Sequence, residues 1–199
     1  GNSIAYTLNA AGERTKEDIK DNGDVLRRTL SRTYNTLGQL QALTDAYNRS
    51  TGFTYDANDN FDQTTDALAR VSDNNHDPLN RLARSLQDVN GVAAETKFTY
   101  DVNDNLTKVT DPKGLNTTYT YNAFGDLTQL ISPDTGTTTY TYDSAGNRTS
   151  QTDARGMQTQ YAHDVLSRGT GVSYAQDASL NIGYVYHVAQ ADCPADEAF

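Results

Sequence analysis

Few residues in this chain are of a type and spacing that could do chemistry. His76, His163 and His187 are the natural candidates for acid–base work or metal binding, but they lie far apart in sequence. Gly171-Val172-Ser173-Tyr174-Ala175 comes within one residue of the G-x-S-x-G turn that presents a serine nucleophile. Ala175 replaces its last glycine, and no helical pattern follows. Asp56-Ala57-Asn58-Asp59-Asn60 and Asp101-Val102-Asn103-Asp104-Asn105 begin like calcium loops. The full loop needs Gly at its sixth position and Glu at its twelfth, where this chain has Phe61 or Leu106 and Ala67 or Pro112. Asx side chains in such runs more readily hydrogen-bond their own turn backbone. The many tyrosines offer an apolar face and a hydroxyl, which suits a sugar, and packing between neighbouring strands accounts for the same residues. The residues point to no catalytic group, cofactor or metal.

The candidate residues instead mark a ruler. Leu8, Tyr34, Tyr55, His76, Tyr100, Tyr121, Tyr142 and His163 recur, with a last degenerate copy at Tyr186. The steps are 26, 21, 21, 24, 21, 21, 21 and 23 residues. The position after each of the first eight is always Asx: Asn9, Asn35, Asp56, Asp77, Asp101, Asn122, Asp143 and Asp164. Three residues further on stand Gly12, Gly38, Asp59, Asn80, Asp104, Gly125, Gly146 and Ser167, mostly residues that enter the left-handed region readily. Asx, two free positions and a left-handed residue is the pattern of a type I turn closed by a bulge, a common hairpin connection.

The elements that hold these turns read as strands. Tyr119 and Tyr121 alternate with Thr118 and Thr120, and Tyr140 and Tyr142 with Thr139 and Thr141, which is period 2. A second alternation follows each turn, as in Leu127-Thr128-Gln129-Leu130, and ends at a further turn such as Asp111-Pro112-Lys113-Gly114 or Asp153-Ala154-Arg155-Gly156. Each unit is therefore two short strands and two turns. The tyrosine faces are expected to meet as cross-strand aromatic pairs. So many strands side by side should curl rather than stay flat. Glu13–Asn22 is charged and reads as a solvated strand-loop, and Gly169–Asp177 and Gln190–Phe199 as irregular.

Composition supports an all-β chain. Only 36% of the 199 residues are apolar, thirteen are Tyr and none is Trp; that is little apolar material for a two-layer core. A net charge of -10 argues against nucleic acid and against anionic membrane surfaces as partners. No apolar run is long enough to span a membrane. Cys193 is the only cysteine, so no internal disulfide can form.

A unit of about 21 residues reading Y-x-Y-D-x-x-G resembles the YD repeat of the Rhs family. It is carried by Tyr119-Thr120-Tyr121-Asn122-Ala123-Phe124-Gly125 and Tyr140-Thr141-Tyr142-Asp143-Ser144-Ala145-Gly146, and by Phe53–Asp56 and Phe98–Asp101 with Asp59 and Asp104 in the glycine position. The resemblance implies a secreted or surface bacterial protein whose hairpins form a curved open ribbon, part of a β-shell around a toxin domain. It implies structural repeats, with neighbouring repeats or the toxin as partners. The alternative is a carbohydrate-binding adhesion module on the same repeats. The defining residues would be Tyr34, Asn35, Gly38, Tyr55, Asp56, Asp59, Tyr100, Asp101, Asp104, Tyr121, Asn122, Gly125, Tyr142, Asp143 and Gly146. Residues 1–199 read as one repeat segment of a longer protein, degenerate over 1–30 and 169–199. Open sheet edges are expected to favour self-association.

Overall fold

The computed structural model of the chain describes residues 1–186. Its first half contains β1 (Ser3–Leu8), β2 (Arg14–Lys20), β3 (Leu26–Tyr34), β4 (Leu40–Asp45), β5 (Ser50–Tyr55), β6 (Phe61–Thr65), β7 (Val71–His76), β8 (Leu82–Gln87) and β9 (Ala94–Tyr100). The second contains β10 (Leu106–Thr110), β11 (Asn116–Tyr121), β12 (Leu127–Ser132), β13 (Gly136–Tyr142), β14 (Arg148–Thr152), β15 (Gln158–His163), β16 (Gly169–Tyr174) and the short β17 (Ile182–Gly183). Among the described residues, the one helical element is a single 3-10 turn, Ala178–Leu180. All seventeen strands belong to one antiparallel sheet, each pairing with its neighbours in sequence.

The chain divides into two compact units. One is built on residues 1–98 and 111–113, the other on 99–110 and 114 onwards. Within each, no apolar side chain among the described residues is fully buried; the most covered residues are Thr138 and Ser150. A sheet of this kind has no second layer to supply a core. Its stability therefore rests on backbone ladders, turn geometry and half-covered side chains.

Two kinds of ladder alternate. Where a strand ending in the repeat tyrosine turns into the next, four or five pairs form, with a register shift just before the last residue. The shift falls at Thr33/Tyr34, Thr54/Tyr55, Thr120/Tyr121 and Thr141/Tyr142. These are the bulges that a turn closed by a left-handed residue requires. Four of the ladders between successive hairpins are shorter, while β2–β3, β8–β9 and β12–β13 keep four or five pairs. β4–β5, β6–β7, β10–β11 and β14–β15 each show three pairs, all near the far turn. The near ends of these pairs splay into a mouth.

The two faces differ. Thr137, Thr139 and Thr141 lie exposed on one face, while Tyr140 and Tyr142 are half-buried on the other. The tyrosines do not stack in rows as expected. Among the described residues, the ring pairs seen are Phe53–Phe61 and Tyr55–Phe61, with centroids 6.1 and 6.2 Å apart. Adjacent repeat tyrosines are separated by an intervening strand, and their hydroxyls find backbone partners instead.

Two local expectations are corrected. Arg14–Lys20 is a regular strand, laddered to β1 and β3 and ion-paired to the latter through Glu17 and Arg32 at 3.6 Å. Gly169–Tyr174 is also a strand, paired with β15 over five positions, so neighbouring backbone supplies the order that its side-chain pattern lacks. Gln190–Phe199 lies outside the described residues, as do His187 and Cys193.

Ala69 occupies the left-handed position of the β6–β7 turn, at φ 61°. An L side chain pays there, and glycine does not, although glycine loses more chain entropy. Ala69→Gly is expected to stabilise the fold by about 0.5–1 kcal/mol in denaturant titration; a lower unfolding midpoint would contradict this.

Candidate functional site

The repeat-defining residues converge on the turns, and the Asx side chain organises each one. Its Oδ1 accepts hydrogen bonds from the backbone N–H two and four residues on, at 2.8–3.0 Å, in the turns opening at Asn35, Asp56, Asp101, Asn122 and Asp143. The backbone closes the same loop: in the Asn122 turn, Asn122 N–H donates to Asp126 O and Gly125 N–H to Asn122 O. Gly38, Asp59, Asp104, Gly125 and Gly146 all hold positive φ, as the closing position demands.

Sequence reasoning named the far turns at Asp111 and Asp153 but missed the cradles at Asp21, Asp45 and Asp66. The turns at the opposite end of the hairpins use the same device. Asp21, Asp45, Asp66 and Asp153 each accept from the N–H groups two and four residues on. Asp24, Asn48, Ala69 and Gly156 are their left-handed residues. The signal was present, since Asx stands three places before each, but no tyrosine precedes it to mark the phase. Asp111-Pro112-Lys113-Gly114 is one of these turns, joining β10 to β11, with Lys113 N–H donating to Asp111.

The turn side chains face inward on donors. Asp56 Oδ2 accepts from Asn60 Nδ2 at 3.0 Å, and Asp101 and Asp143 do the same with Asn105 and Asn147. Arg49, Arg70, Arg81 and Arg168 replace that asparagine elsewhere, as ion pairs to Asp45, Asp66, Asp77 and Asp164 at 2.5–2.7 Å. A cation needs converging acceptors, whereas these carboxylates are already committed to N–H groups. Among the described residues, no three His, Cys, Asp or Glu side chains group as a metal site.

The tyrosines make the second recurrent contact. Tyr55 Oη donates to Leu40 O at 3.0 Å, and Tyr121 and Tyr142 to Leu106 O and Leu127 O at 2.9 Å, each across fifteen residues. Tyr34 reaches Arg14 O at 2.9 Å, twenty residues back, because the longer β2 and β3 lie between them. Each hydroxyl spans the mouth between two hairpins and caps the first carbonyl of the preceding strand. Such a bond is worth about 1 kcal/mol. Burial pushes the Tyr121 and Tyr142 phenols above their ordinary value.

Among the described residues, no reactive constellation forms. His76 and His163 end β7 and β15 in tyrosine positions, in different units. Ser173 lies within β16, paired with Gln160, and the residues after it lead to the 3-10 turn, with no strand-to-helix elbow.

The turn carboxyls fix the pH response. Hydrogen bonds from Asn60 and Asn147 hold Asp56 and Asp143 below the usual carboxylate value, and those from Arg49, Arg70, Arg81 and Arg168 do the same for Asp45, Asp66, Asp77 and Asp164. Depressed folded values mean that this stability is complete above the unfolded value, about 3.9, and is lost as pH falls through the folded ones. Melting followed by circular dichroism should show a midpoint that drops once pH falls below about 4; a midpoint unchanged down to about pH 2 would refute the assignment.

The comparisons with known proteins agree with this geometry. Residues 76–117, 100–137, 121–156 and 142–178 match the family model described as RHS Repeat. No curated protein sequence matches the chain. Among solved structures, TcdB2-TccC3 without its hypervariable C-terminal region is similar, with TM-score 0.69 and 15% identity over 85% of this chain. TcdB2-TccC3-TEV has TM-score 0.70 and 15% identity over 87%. The Photorhabdus luminescens Tc holotoxin pore carrying TccC3-D651A has TM-score 0.67 and 15% identity over 85%. The chain spans 11% of the length of each of these chains.

Proposed function

Because the chain belongs to the RHS repeat family, we propose that it is a structural, non-catalytic section of wall in a larger exported toxin, where many such hairpins enclose or present a toxin domain. The observation that carries this reading is the repeated junction itself. Every conspicuous residue of the motif is spent on the chain's own backbone: the Asx on turn N–H groups, the tyrosine on the carbonyl of the preceding hairpin. What such a chain offers a partner is an extended sheet surface. The similarity to TcdB2-TccC3 supports the same ribbon architecture. Partners would then be the adjoining repeats and whatever they surround.

The test uses the whole parent protein that carries these repeats. A domain enclosed by the wall should resist added protease while the repeats are folded, and become sensitive once mild denaturant opens them. A domain digested equally fast in both states would overturn the proposal.

A carbohydrate-binding surface is the second reading, favoured by one groove. Asn122, Phe124, Asp126, Tyr140, Tyr142 and Asp143 line it, combining aromatic faces with amide and carboxylate groups. Phe124 is 92% exposed at the turn tip, where turn geometry asks for no aromatic residue. Saturable calorimetric binding of soluble cell-wall oligosaccharides, abolished by Phe124→Ala, would favour this reading; no binding would remove it.

A further inference from the structure

One histidine in each unit breaks the tyrosine rule, and the structure shows what is lost there. The β4–β5 and β6–β7 ladders have the same three pairs and the same splayed mouth. At the first mouth, Tyr55 donates to Leu40 O. At the second, His76 stands in the tyrosine position, and the equivalent carbonyl, fifteen residues back, is that of Phe61. The imidazole is shorter than a phenol and makes no hydrogen bond to it; both mouths keep a bond between their turns, Asn60 to Asn80 at 2.9 Å here and Gln39 to Asp59 at 3.1 Å at the first, so the tyrosine bond is the difference. The His76 Nδ1 is buried with no partner at all, which costs stability rather than adding it. The second unit repeats the contrast. The β10–β11 mouth is bridged by Tyr121 to Leu106 O, while at the mouth of the equally short β14–β15 ladder His163 stands in the tyrosine position with no phenol hydroxyl to reach Arg148 O, and Arg148 lies over the Tyr161 ring at 4.4 Å instead. Local opening follows the weakest cooperative contacts.

We propose that the mouths at His76 and His163, which lack the tyrosine bond, are built-in opening points, one in each unit, at which the sheet parts more readily than at the mouths a tyrosine closes. The inference goes beyond the wall reading and holds whatever the repeats enclose. It concerns a choice of residue: tyrosine fits the position at Tyr34, Tyr55, Tyr121 and Tyr142, so nothing in the backbone forbids it at residues 76 and 163.

Hydrogen–deuterium exchange on the folded chain, read by peptide, tests it. In the wild type, peptides from the β6–β7 mouth (residues 61–76) should exchange about fivefold faster than those from the β4–β5 mouth (residues 40–55), the factor expected for one neutral hydrogen bond. His76→Tyr should restore the bond to Phe61 O and remove that difference, whereas His76→Phe, which fills the space without a hydroxyl, should not. His163→Tyr should act alike on residues 148–163. As a converse, Tyr55→Phe should raise exchange at the β4–β5 mouth by a similar factor. Equal wild-type exchange at both mouths would overturn the proposal, as would His76→Phe protecting as well as His76→Tyr.

Discussion

The fold depends on one interaction, the capture of two backbone N–H groups by the Oδ1 of an Asx residue at the start of each turn. A sheet with no buried core cannot use apolar packing to choose its register. Register must then be set locally, by turns that allow a single length and a single bulge. The Asx cradle does this at both ends of the hairpins. Most of its carboxylates are half-buried, and each is tied to an asparagine or arginine four residues on, or to backbone donors. The acidity of the chain is therefore partly structural: a good share of its aspartates are turn parts.

The tyrosine does what the turn cannot. A turn fixes the hairpin it closes but not the distance to the next hairpin, because that ladder is short and splays. A long side chain ending in a donor crosses the mouth and closes it on a carbonyl. This explains why the motif places tyrosine directly before Asx. The same few residues close one hairpin through the Asx and fasten it to the previous one through the hydroxyl. A phenylalanine would cover the same surface and leave the carbonyl without that donor, and a histidine stops short, as His76 does.

The conspicuous polar residues among those described are committed to their own turns. The acidic loops that resemble calcium sites direct their oxygens at donors of their own turn, and the serine in the near-elbow is a strand residue. A role as wall fits residues that bind one another, and any exchange with the outside falls to surfaces the turns leave uncommitted, such as the groove at Phe124.

The sequence alone was enough for the period, the strand–turn alternation, the Asx and left-handed positions, and the family that these define. Each is a local property, legible because turn dihedrals and period-2 alternation depend only on nearby residues. It also marked His76 and His163 as departures from the tyrosine position. Only the tertiary structure decided what the tyrosines do. Their partners lie fifteen to twenty residues away, on a carbonyl that no side-chain pattern marks, and the expected rows of stacked rings gave way to hydroxyl bonds. It likewise decided that Arg14–Lys20 and Gly169–Tyr174 are strands, because a segment with weak alternation of its own takes its order from the ladders on either side. Spacing along the chain settles turns; which backbone group a side chain reaches depends on how the next hairpin is laid beside it.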